Sequence, residues 1–193
     1  MLKVLWQSTL VTLILSVVLC GVYPLVVTGV GYVFFKDKAE GSLIRNNAGQ
    51  VIGSHLIGQG FAKPEYFHGR PSAAGDAGYD ASNSSGSNLA ASNPKFMETL
   101  NGRIDALIKE NPDLKKGEIP NELVMASGSG LDPEVSVEAI EVQIPRVSRA
   151  RGISVESLRL IIEDHAQAPV LGFLGEKTVN VLELNLELDR RKQ

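Results

Sequence analysis

The sequence LVTLILSVVLCGVYPLVVTGVGYVFF occupies residues 10–35 and contains no charged side chain. The uncharged stretch continues in both directions until Lys3 and Lys36. A helix needs about 20 apolar residues to cross the hydrocarbon core of a bilayer, which is about 30 Å thick. The stretch exceeds that length, so it predicts a transmembrane anchor over residues 1–35. Pro24 lacks a backbone donor, and we expect the helix to kink or end near it.

Two alternatives for this segment fit the sequence less well. A cleaved signal peptide has an apolar region of about 7–15 residues and an Ala-x-Ala-like cleavage site, whereas this run is longer and lacks such a site. A lipoprotein signal modified at Cys20 would have a small residue in place of Leu19. Lysines flank both ends of the segment, so the positive-inside rule leaves its orientation open.

Residues 36–193 are of the usual size for one domain with its own hydrophobic core. The formal net charge of the whole chain is −3, which predicts no basic surface for nucleic acid. Cys20 is the only cysteine, so no intramolecular disulfide can form. The three histidines, His55, His68 and His165, lack neighbouring ligand residues at short spacing, and we predict no metal site.

The domain combines strand and helix patterns. Residues 43–45 and 51–57 predict a β-hairpin around the turn-forming sequence Asn46-Asn47-Ala48-Gly49. A helix is predicted from the cap Asn93 to Asn111, a second from Ser136 to Gly152 with an interruption at Pro145, and a third from Ser154 to Pro169. Residues 179–188 alternate with period two, but their Leu and Glu content also suits a helix, so this element stays open. The domain is predicted to be α+β.

One aromatic and cationic cluster precedes a long loop rich in Gly, Ser, Ala and Asn at residues 72–93. Aromatic rings and arginine are typical of binding surfaces. The alternative is an anchor for the loop, with the aromatic rings buried and the arginine bonded to carbonyl groups. On the binding interpretation, the candidate partner-contact residues are Tyr66, Phe67, His68, Arg70 and Pro71.

Motifs that would make the chain an enzyme or a transporter by itself are missing. The sequence has no phosphate-binding loop, no potassium selectivity filter and no segment that a P-type pump phosphorylates. One helix cannot enclose a conduction path, so any transport role is that of a subunit without a catalytic site of its own. Two alternatives are a solitary extracytoplasmic binding module and a hydrolase using Ser127 or Ser129 with Asp164 and His165. The non-catalytic interpretation of Ser127-Gly128-Ser129-Gly130 is a tight turn.

Short motifs along nearly the whole chain occur in the order and at the spacing of one known family. The chain resembles the C subunit of the Kdp-type potassium-transporting ATPase. The motifs are Gly21-Val22-Tyr23-Pro24, Gly41-Ser42-Leu43-Ile44, Leu56-Ile57-Gly58-Gln59, Tyr66-Phe67-His68-Gly69-Arg70-Pro71-Ser72-Ala73, Ser87-Asn88-Leu89, Ser92-Asn93-Pro94, Ala126-Ser127-Gly128-Ser129-Gly130-Leu131-Asp132, Gln143-Ile144-Pro145-Arg146-Val147, Ala150-Arg151, Gly172-Phe173-Leu174-Gly175 and Val179-Asn180-Val181-Leu182-Glu183-Leu184-Asn185-Leu186.

Two positions depart from the usual pattern of this family. Ser85 replaces a glycine and Gly128 replaces an alanine, and both changes alter local backbone freedom without removing a charge.

The resemblance implies a complex in a bacterial plasma membrane. In that complex a channel-like subunit takes up potassium and a P-type subunit hydrolyses ATP. The C subunit would assemble or stabilise these two partners as a single-pass protein in membrane lipid. It would also act as a catalytic chaperone that raises the ATP affinity of the pump subunit. No cofactor of its own is implied, because ATP enters at the level of the complex.

The resemblance also implies a candidate nucleotide-binding segment. Residues 84–89 resemble the Ser-Gly-Gly-Gln signature of ABC proteins, which makes Ser85, Gly86, Ser87 and Asn88 the candidates. The family is expected to place its N-terminus in the cytoplasm and residues 36–193 outside the cell, whereas ATP is cytoplasmic. Allosteric coupling through packed helices therefore explains an effect on ATP affinity better than direct contact.

Overall fold

The computed structural model describes residues 1–191, which form two compact units that divide between Ile52 and Gly53. The first unit begins with helix α1 (Leu2–Val17), a π-helical turn (Val18–Val22) and helix α2 (Tyr23–Phe34). Together they form one 33-residue helix that is long and apolar enough to cross a membrane, with no buried residues in its most apolar part. At 1.5 Å per residue it is about 50 Å long, which exceeds the roughly 30 Å of a bilayer core.

The irregularity expected at Pro24 is the π-helical turn that precedes it. Pro24 lies in the first turn of α2 and has no N–H to donate to the preceding turn. Widening the helix over Val18–Val22 changes the hydrogen-bond pattern at that point, as π-helical turns do in bent helices. The helix therefore continues through the proline and ends at Phe34, close to the predicted end of the anchor at residue 35.

A short helix and a β-hairpin follow the long helix. The elements are α3 (Lys36–Ala39), β1 (Leu43–Arg45) and β2 (Val51–Ser54), and the two strands pair as predicted. Asn46 shapes the turn, because its side-chain oxygen accepts hydrogen bonds from the N–H groups of Ala48 and Gln50. Gly49 closes the turn with a φ of 78°, a conformation that glycine adopts without strain.

The second unit contains the remaining helices and strands. In chain order they are α4 (Pro94–Glu110), two 3₁₀ turns (Lys116–Glu118 and Asn121–Leu123), β3 (Glu134–Ser136), α5 (Val137–Glu141), α6 (Ile144–Arg151), α7 (Val155–His165), β4 (Ala166–Gln167), β5 (Thr178–Asn180) and α8 (Val181–Arg190). This arrangement confirms the predicted α+β class.

Helix boundaries follow the capping residues that the sequence predicts. Asn93 accepts a hydrogen bond from the N–H of Lys95 at the start of α4, and Ser154 accepts one from Ser157 at the start of α7. Gly152 ends α6 with a left-handed φ of 69°. The end predicted for the third helix near Pro169 is wrong, because the helix stops at His165 and the chain turns into β4.

An antiparallel sheet of three strands in the order β3-β5-β4 was not predicted. Its strands are only two or three residues long, too short for the period-two pattern by which strands are recognised. Val179 on the central strand faces Val135 on one neighbour and Ala166 on the other. The C-terminal element that the sequence leaves open contains both a strand and a helix. Strand β5 ends at Asn180, which also caps the N-terminus of α8.

The core of the second unit lies among these helices and the sheet. Its fully buried large apolar side chains come from α5, α6, α7, α8, two strands and one loop: Phe67, Val135, Ile140, Ile144, Val147, Leu158, Val179, Leu184 and Leu188. Phe67 is the loop residue in this set, and it belongs to the predicted partner-contact cluster.

Candidate functional site

The Tyr66–Pro71 segment has no regular secondary structure, and side-chain amides bind its backbone on two sides. Asn185 of α8 accepts a hydrogen bond from the N–H of Phe67 and donates one to its carbonyl, both at 2.9 Å. Gln143 does the same for His68, at 2.8 and 3.0 Å. These two amides satisfy buried backbone groups that would otherwise need a neighbouring strand.

A buried arginine also donates hydrogen bonds to the backbone of this part of the chain. Arg146 of α6 is 4% exposed and donates to the carbonyls of Pro64 and Tyr66 at 2.6 and 2.9 Å. It also donates to Gln143 at 2.7 Å and to Asn111 at 3.1 Å. Burial lowers the pKa of Arg146, but a guanidinium remains charged in proteins. The helix α6 therefore sets the path of residues 64–68.

A second arginine completes the attachment at Tyr66. Arg151 donates to the carbonyl of Glu65 at 2.6 Å and to the Asp189 carboxylate at 2.8 Å. Its guanidinium lies 4.9 Å from the centre of the Tyr66 ring, and the Tyr66 hydroxyl donates to Asp189 at 3.0 Å. Burial and the Asp189 carboxylate raise the pKa of Tyr66, so its hydroxyl stays protonated and remains a donor.

His68 faces a cavity of about 250 Å³ that is lined by apolar and charged residues of α4 and of the neighbouring loops: Gly60, Phe61, Gly69, Arg70, Pro71, Tyr79, Arg103, Ala106, Leu107, Glu110 and Leu123. Its Nδ1 lies 3.4 Å from a carboxylate oxygen of Glu110, and its Nε2 lies 3.3 Å from the carbonyl of Lys63. Burial, and then the positive charge of Arg146, lower the pKa of His68. The imidazole is therefore neutral at neutral pH.

Arg70 and Pro71 connect this segment to the loop that follows. Arg70 donates to the Asp132 carboxylate at 3.1 Å, and its carbonyl accepts a hydrogen bond from the Tyr79 hydroxyl at 2.6 Å. The carbonyl of Pro71 accepts a hydrogen bond from the N–H of Ser127 at 3.0 Å. Phe67 is thus a buried anchor, and Arg70 bonds to a carboxylate rather than to the carbonyl groups of the anchor interpretation. The side chains of His68 and Arg70 are partly exposed.

The loop at residues 72–93 is ordered by hydroxyl groups that bind backbone. The Ser72 hydroxyl donates to the carbonyl of Gly130 at 2.6 Å and accepts from the N–H groups of Ala74 and Tyr79. The Ser85 hydroxyl donates to the carbonyl of Ala73 at 2.8 Å. This contact joins the middle of the loop to its beginning.

The four candidate nucleotide-binding residues lie in this loop, but only Ser85 lines the depression beside it. The depression has a volume of about 530 Å³ and is lined by Ala73, Gly75, Asp76, Asp80, Asn83, Ser84 and Ser85. Hydrogen bonds from Ser82 and then Asn83 lower the pKa of Asp80, which keeps its carboxylate ionised. The lining offers two carboxylates and no cationic side chain for a phosphate group.

The Ser127-Gly128-Ser129-Gly130 turn packs against the loop at residues 72–93, with Ser127 buried and Ser129 exposed. The Ser127 hydroxyl accepts from the N–H of Gly130, and the carbonyl of Ser129 accepts from the Ser84 hydroxyl at 2.9 Å. Gly130 has a φ of 68°, and a Cβ atom there would lie 2.6 Å from the carbonyl oxygen of Ser85. His165 bonds to the carbonyl of Ile161 in its own helix, and no hydrogen bond within residues 1–191 joins it to either serine.

The three histidines lie in separate environments. His55 contacts the Glu183 carboxylate at 2.5 Å, whereas His68 and His165 have the contacts given above. No group of three or more His, Cys, Asp or Glu side chains that could hold a metal ion occurs among the described residues.

The residues that position the Tyr66–Pro71 segment were missed from sequence, because they lie about 80 to 120 positions further along the chain. Their signal was a polar residue within an otherwise apolar helical pattern. Gln143 and Arg146 flank Ile144, and Asn185 interrupts the leucines of α8. A buried polar side chain in such a stripe must have a hydrogen-bond partner, and here the partner is an irregular segment.

Comparison with known proteins identifies the family. The family profile KdpC, described as "K+-transporting ATPase, c chain", matches residues 5–190. A potassium-transporting ATPase KdpC subunit of Nitratidesulfovibrio vulgaris is 49% identical over 98% of this chain and 95% of its own length. Those of Mycobacterium bovis and a Janthinobacterium species are 52% and 47% identical over 92% and 98% of this chain, and over 93% and 100% of their own lengths. The resemblance drawn from the motifs is confirmed, and the chain belongs to the KdpC family, the c chain of K+-transporting ATPases.

Proposed function

We propose that this chain is the noncatalytic accessory subunit of an ATP-driven potassium-uptake complex in a bacterial plasma membrane. It assembles or stabilises the channel-like and ATP-hydrolysing subunits, and it raises the ATP affinity of the latter. The observation that carries this proposal is the family match over residues 5–190, which includes both the apolar helix and the second unit. The relatives are named as subunits of a potassium-transporting ATPase.

The structure of the Tyr66–Pro71 segment supports a role in contacting another subunit. Its backbone is fixed by Asn185, Gln143 and Arg146, so the partly exposed side chains of His68 and Arg70 are held in place before any partner binds. Preorganisation of this kind lowers the entropy lost on association. Phe67 is fully buried and acts by positioning its neighbours.

The chemistry of the loop at residues 72–93 supports an indirect effect on ATP affinity. The carboxylates of Asp76 and Asp80 line the depression next to Ser85, and they would repel a triphosphate. Binding of this chain to one conformation of the ATP-hydrolysing subunit would raise ATP affinity without any contact to nucleotide. This agrees with the expected extracytoplasmic position of residues 36–193.

Deletion and complementation test the proposal. Cells that lack this chain should lose growth at limiting potassium, and the other subunits should no longer be recovered as one complex in mild detergent. Re-expression of the wild-type chain should restore both. Normal growth together with an intact complex in the deletion strain would refute an accessory role, and a wild-type chain that purifies alone would favour a solitary binding module.

Whether this chain contacts ATP directly is tested in the purified complex with Ser87→Asp. This substitution adds a negative charge at an exposed candidate residue. Ser92→Asp, at another exposed position of the same loop, is the matched control. Indirect coupling predicts the same KM for ATP in both variants. A KM that rises about tenfold in the Ser87 variant alone, equivalent to about 1.4 kcal/mol, would show direct contact with nucleotide.

A further inference from the structure

An apolar tip at residues 169–175 projects from the sheet of the second unit. It joins β4 to β5, and four of its seven residues are large apolar side chains that lie largely in solvent. Their exposed fractions are 68% for Val170, 79% for Leu171, 73% for Phe173 and 51% for Leu174. Burial of apolar surface is favourable in proportion to the area removed from water. Folding of the second unit buries only the smaller part of the surface of these four side chains.

The tip is ordered despite its exposure. The N–H of Val170 donates to the carbonyl of Leu174 at 3.0 Å, and the N–H of Leu174 donates back at 2.9 Å. Pairing of Ala166 with Val179 holds the base of the tip in the sheet. Leu171 has a φ of 55°, a left-handed conformation that leucine adopts only with strain. A strained and exposed leucine is consistent with a binding role rather than a role in stability.

The charges beside the tip disfavour a lipid surface as its partner. Four exposed carboxylates lie near its base, against two exposed cations, Arg159 and Lys177; the carboxylates are those of Glu141, Glu163, Asp164 and Glu176. Segments that insert into bilayers with anionic lipids carry an excess of basic residues next to their apolar side chains. The excess of carboxylates here would instead be repelled from such a surface.

The same charges disfavour a second copy of this chain. In a twofold dimer the same patch meets itself, so the carboxylates at the base of one tip would face those of the other. Like charges at close range are unfavourable. A different protein surface, apolar at its centre and basic or neutral at its rim, has the complementary chemistry.

We propose that the tip at residues 169–175 inserts into an apolar pocket on another subunit of the same potassium-transporting complex, with basic or neutral groups at the rim of that pocket. The proposal rests on the accessory function proposed above. A standard interface covers about 800 Å² on each partner, so four side chains form the central anchor of a larger interface, in the manner of binding hot spots.

The test uses the full chain, expressed with the other subunits and purified in mild detergent. Leu171→Asp and Phe173→Asp are combined in one variant, and Leu160→Asp on the exposed face of α7, where Leu160 is 64% exposed, is the matched control. We expect recovery of the complex to fall at least tenfold in the double variant and to stay at the wild-type level in the control. Equal recovery from the double variant would overturn the proposal.

Two comparisons separate this outcome from other causes. The urea midpoint of the double variant should be no lower than that of the wild type, because its substitutions lie in solvent and aspartate tolerates a positive φ better than leucine does. If the wild-type chain itself fails to recover the other subunits, the proposed function fails. If it recovers them and the double variant does so equally well, only the role of the tip is refuted.

A fluorescent label on the tip identifies the partner that the tip contacts. Phe173→Cys in a Cys20→Ser chain, labelled with a polarity-sensitive dye before mixing with the other subunits, should shift its emission to the blue only when they are present. A blue shift in lipid nanodiscs with the chain alone, quenched by spin-labelled lipid, would identify a bilayer partner and overturn the proposal. A dimer of the chain alone that the double aspartate variant dissociates would overturn it in favour of self-association.

Discussion

Asn185 is 1% exposed, and both polar atoms of its side chain bond to the backbone of Phe67. Replacement by leucine keeps a side chain of similar size but leaves a buried N–H and a buried carbonyl without partners. Each such group costs about 1–3 kcal/mol, so we expect Asn185→Leu to lower the free energy of unfolding by about 2–6 kcal/mol. Urea unfolding of the full chain in detergent micelles, followed by circular dichroism, measures this change.

Asn101→Leu is the control for that variant, since Asn101 is exposed on α4 and has no role in the attachment of Phe67. It should change stability by less than about 0.5 kcal/mol, as surface substitutions usually do. Equal effects of the two variants would mean that the hydrogen bonds of Asn185 do not support the Tyr66–Pro71 segment.

His68 predicts a loss of stability in mild acid. Burial and the charge of Arg146 lower its pKa in the folded protein, while Glu110 only partly opposes them. The unfolded chain therefore binds a proton below its ordinary pKa of about 6.5 that the folded chain does not, and stability falls as the pH decreases through that range. One proton gives a slope of at most about 1.4 kcal/mol per pH unit.

The contribution of His68 is measured by difference, because carboxylates also change stability in acid. Unfolding free energies of the wild type and of His68→Gln should be compared between pH 7.5 and 5.5. The wild type should lose more stability over this interval than the variant. Parallel curves would show that protonation of His68 is not linked to folding.

At the scale of single elements, two glycines in helices predict effects of opposite sign. Gly152 ends α6 at a φ of 69°, so Gly152→Ala should lower stability by about 1 kcal/mol through backbone strain alone, since the space around it is open. Gly102 lies inside α4 with equally open surroundings, so Gly102→Ala should raise stability by about 0.5–1 kcal/mol. Thermal unfolding of both variants gives the signs, and two changes in the same direction would contradict the assigned conformations.

The helices and the hairpin were predictable because their determinants are local. Asn93, Pro94 and Ser154 mark the ends of helices by their own side chains, and the Asn46 turn needs only its neighbours. The sheet was not predictable, because a strand as short as β4 is defined by pairing with residues 178 and 179 rather than by its own pattern. The three strands lie apart in the sequence, at residues 134–136, 166–167 and 178–180, and pair only when the second unit folds.

The candidate site, like the fold, could be predicted from the sequence only in part. Residues 66–71 could be singled out by composition, and four of them, residues 68–71, line a cavity. Their attachment through Asn185, Gln143 and Arg146 could not be predicted, because hydrogen bonds between distant residues leave no periodic pattern. The Ser127 turn shows the converse: its Ser-Gly pattern permits several chemistries, and only the close approach of Gly130 to Ser85 explains the glycine.

For the whole molecule, the orientation in the membrane decides whether residues 85–88 can meet ATP. Cys20 is the only cysteine, so Ser92→Cys in a Cys20→Ser chain provides one thiol at an exposed site. We expect a membrane-impermeant maleimide to label this variant in intact cells, because residues 36–193 should lie outside the cytoplasm. Labelling only after the cells are lysed would place the second unit inside and reopen direct contact with nucleotide.

The hydrogen bonds that fix residues 64–68 have a consequence for biosynthesis. The N-terminal helix leaves the ribosome first, and the irregular segment emerges long before Arg146, Asn185 and Asp189, its partners in the folded state. Residues 64–68 therefore reach their native form only once residue 189 has been synthesised, and in that interval an unfolded segment is a substrate for chaperones.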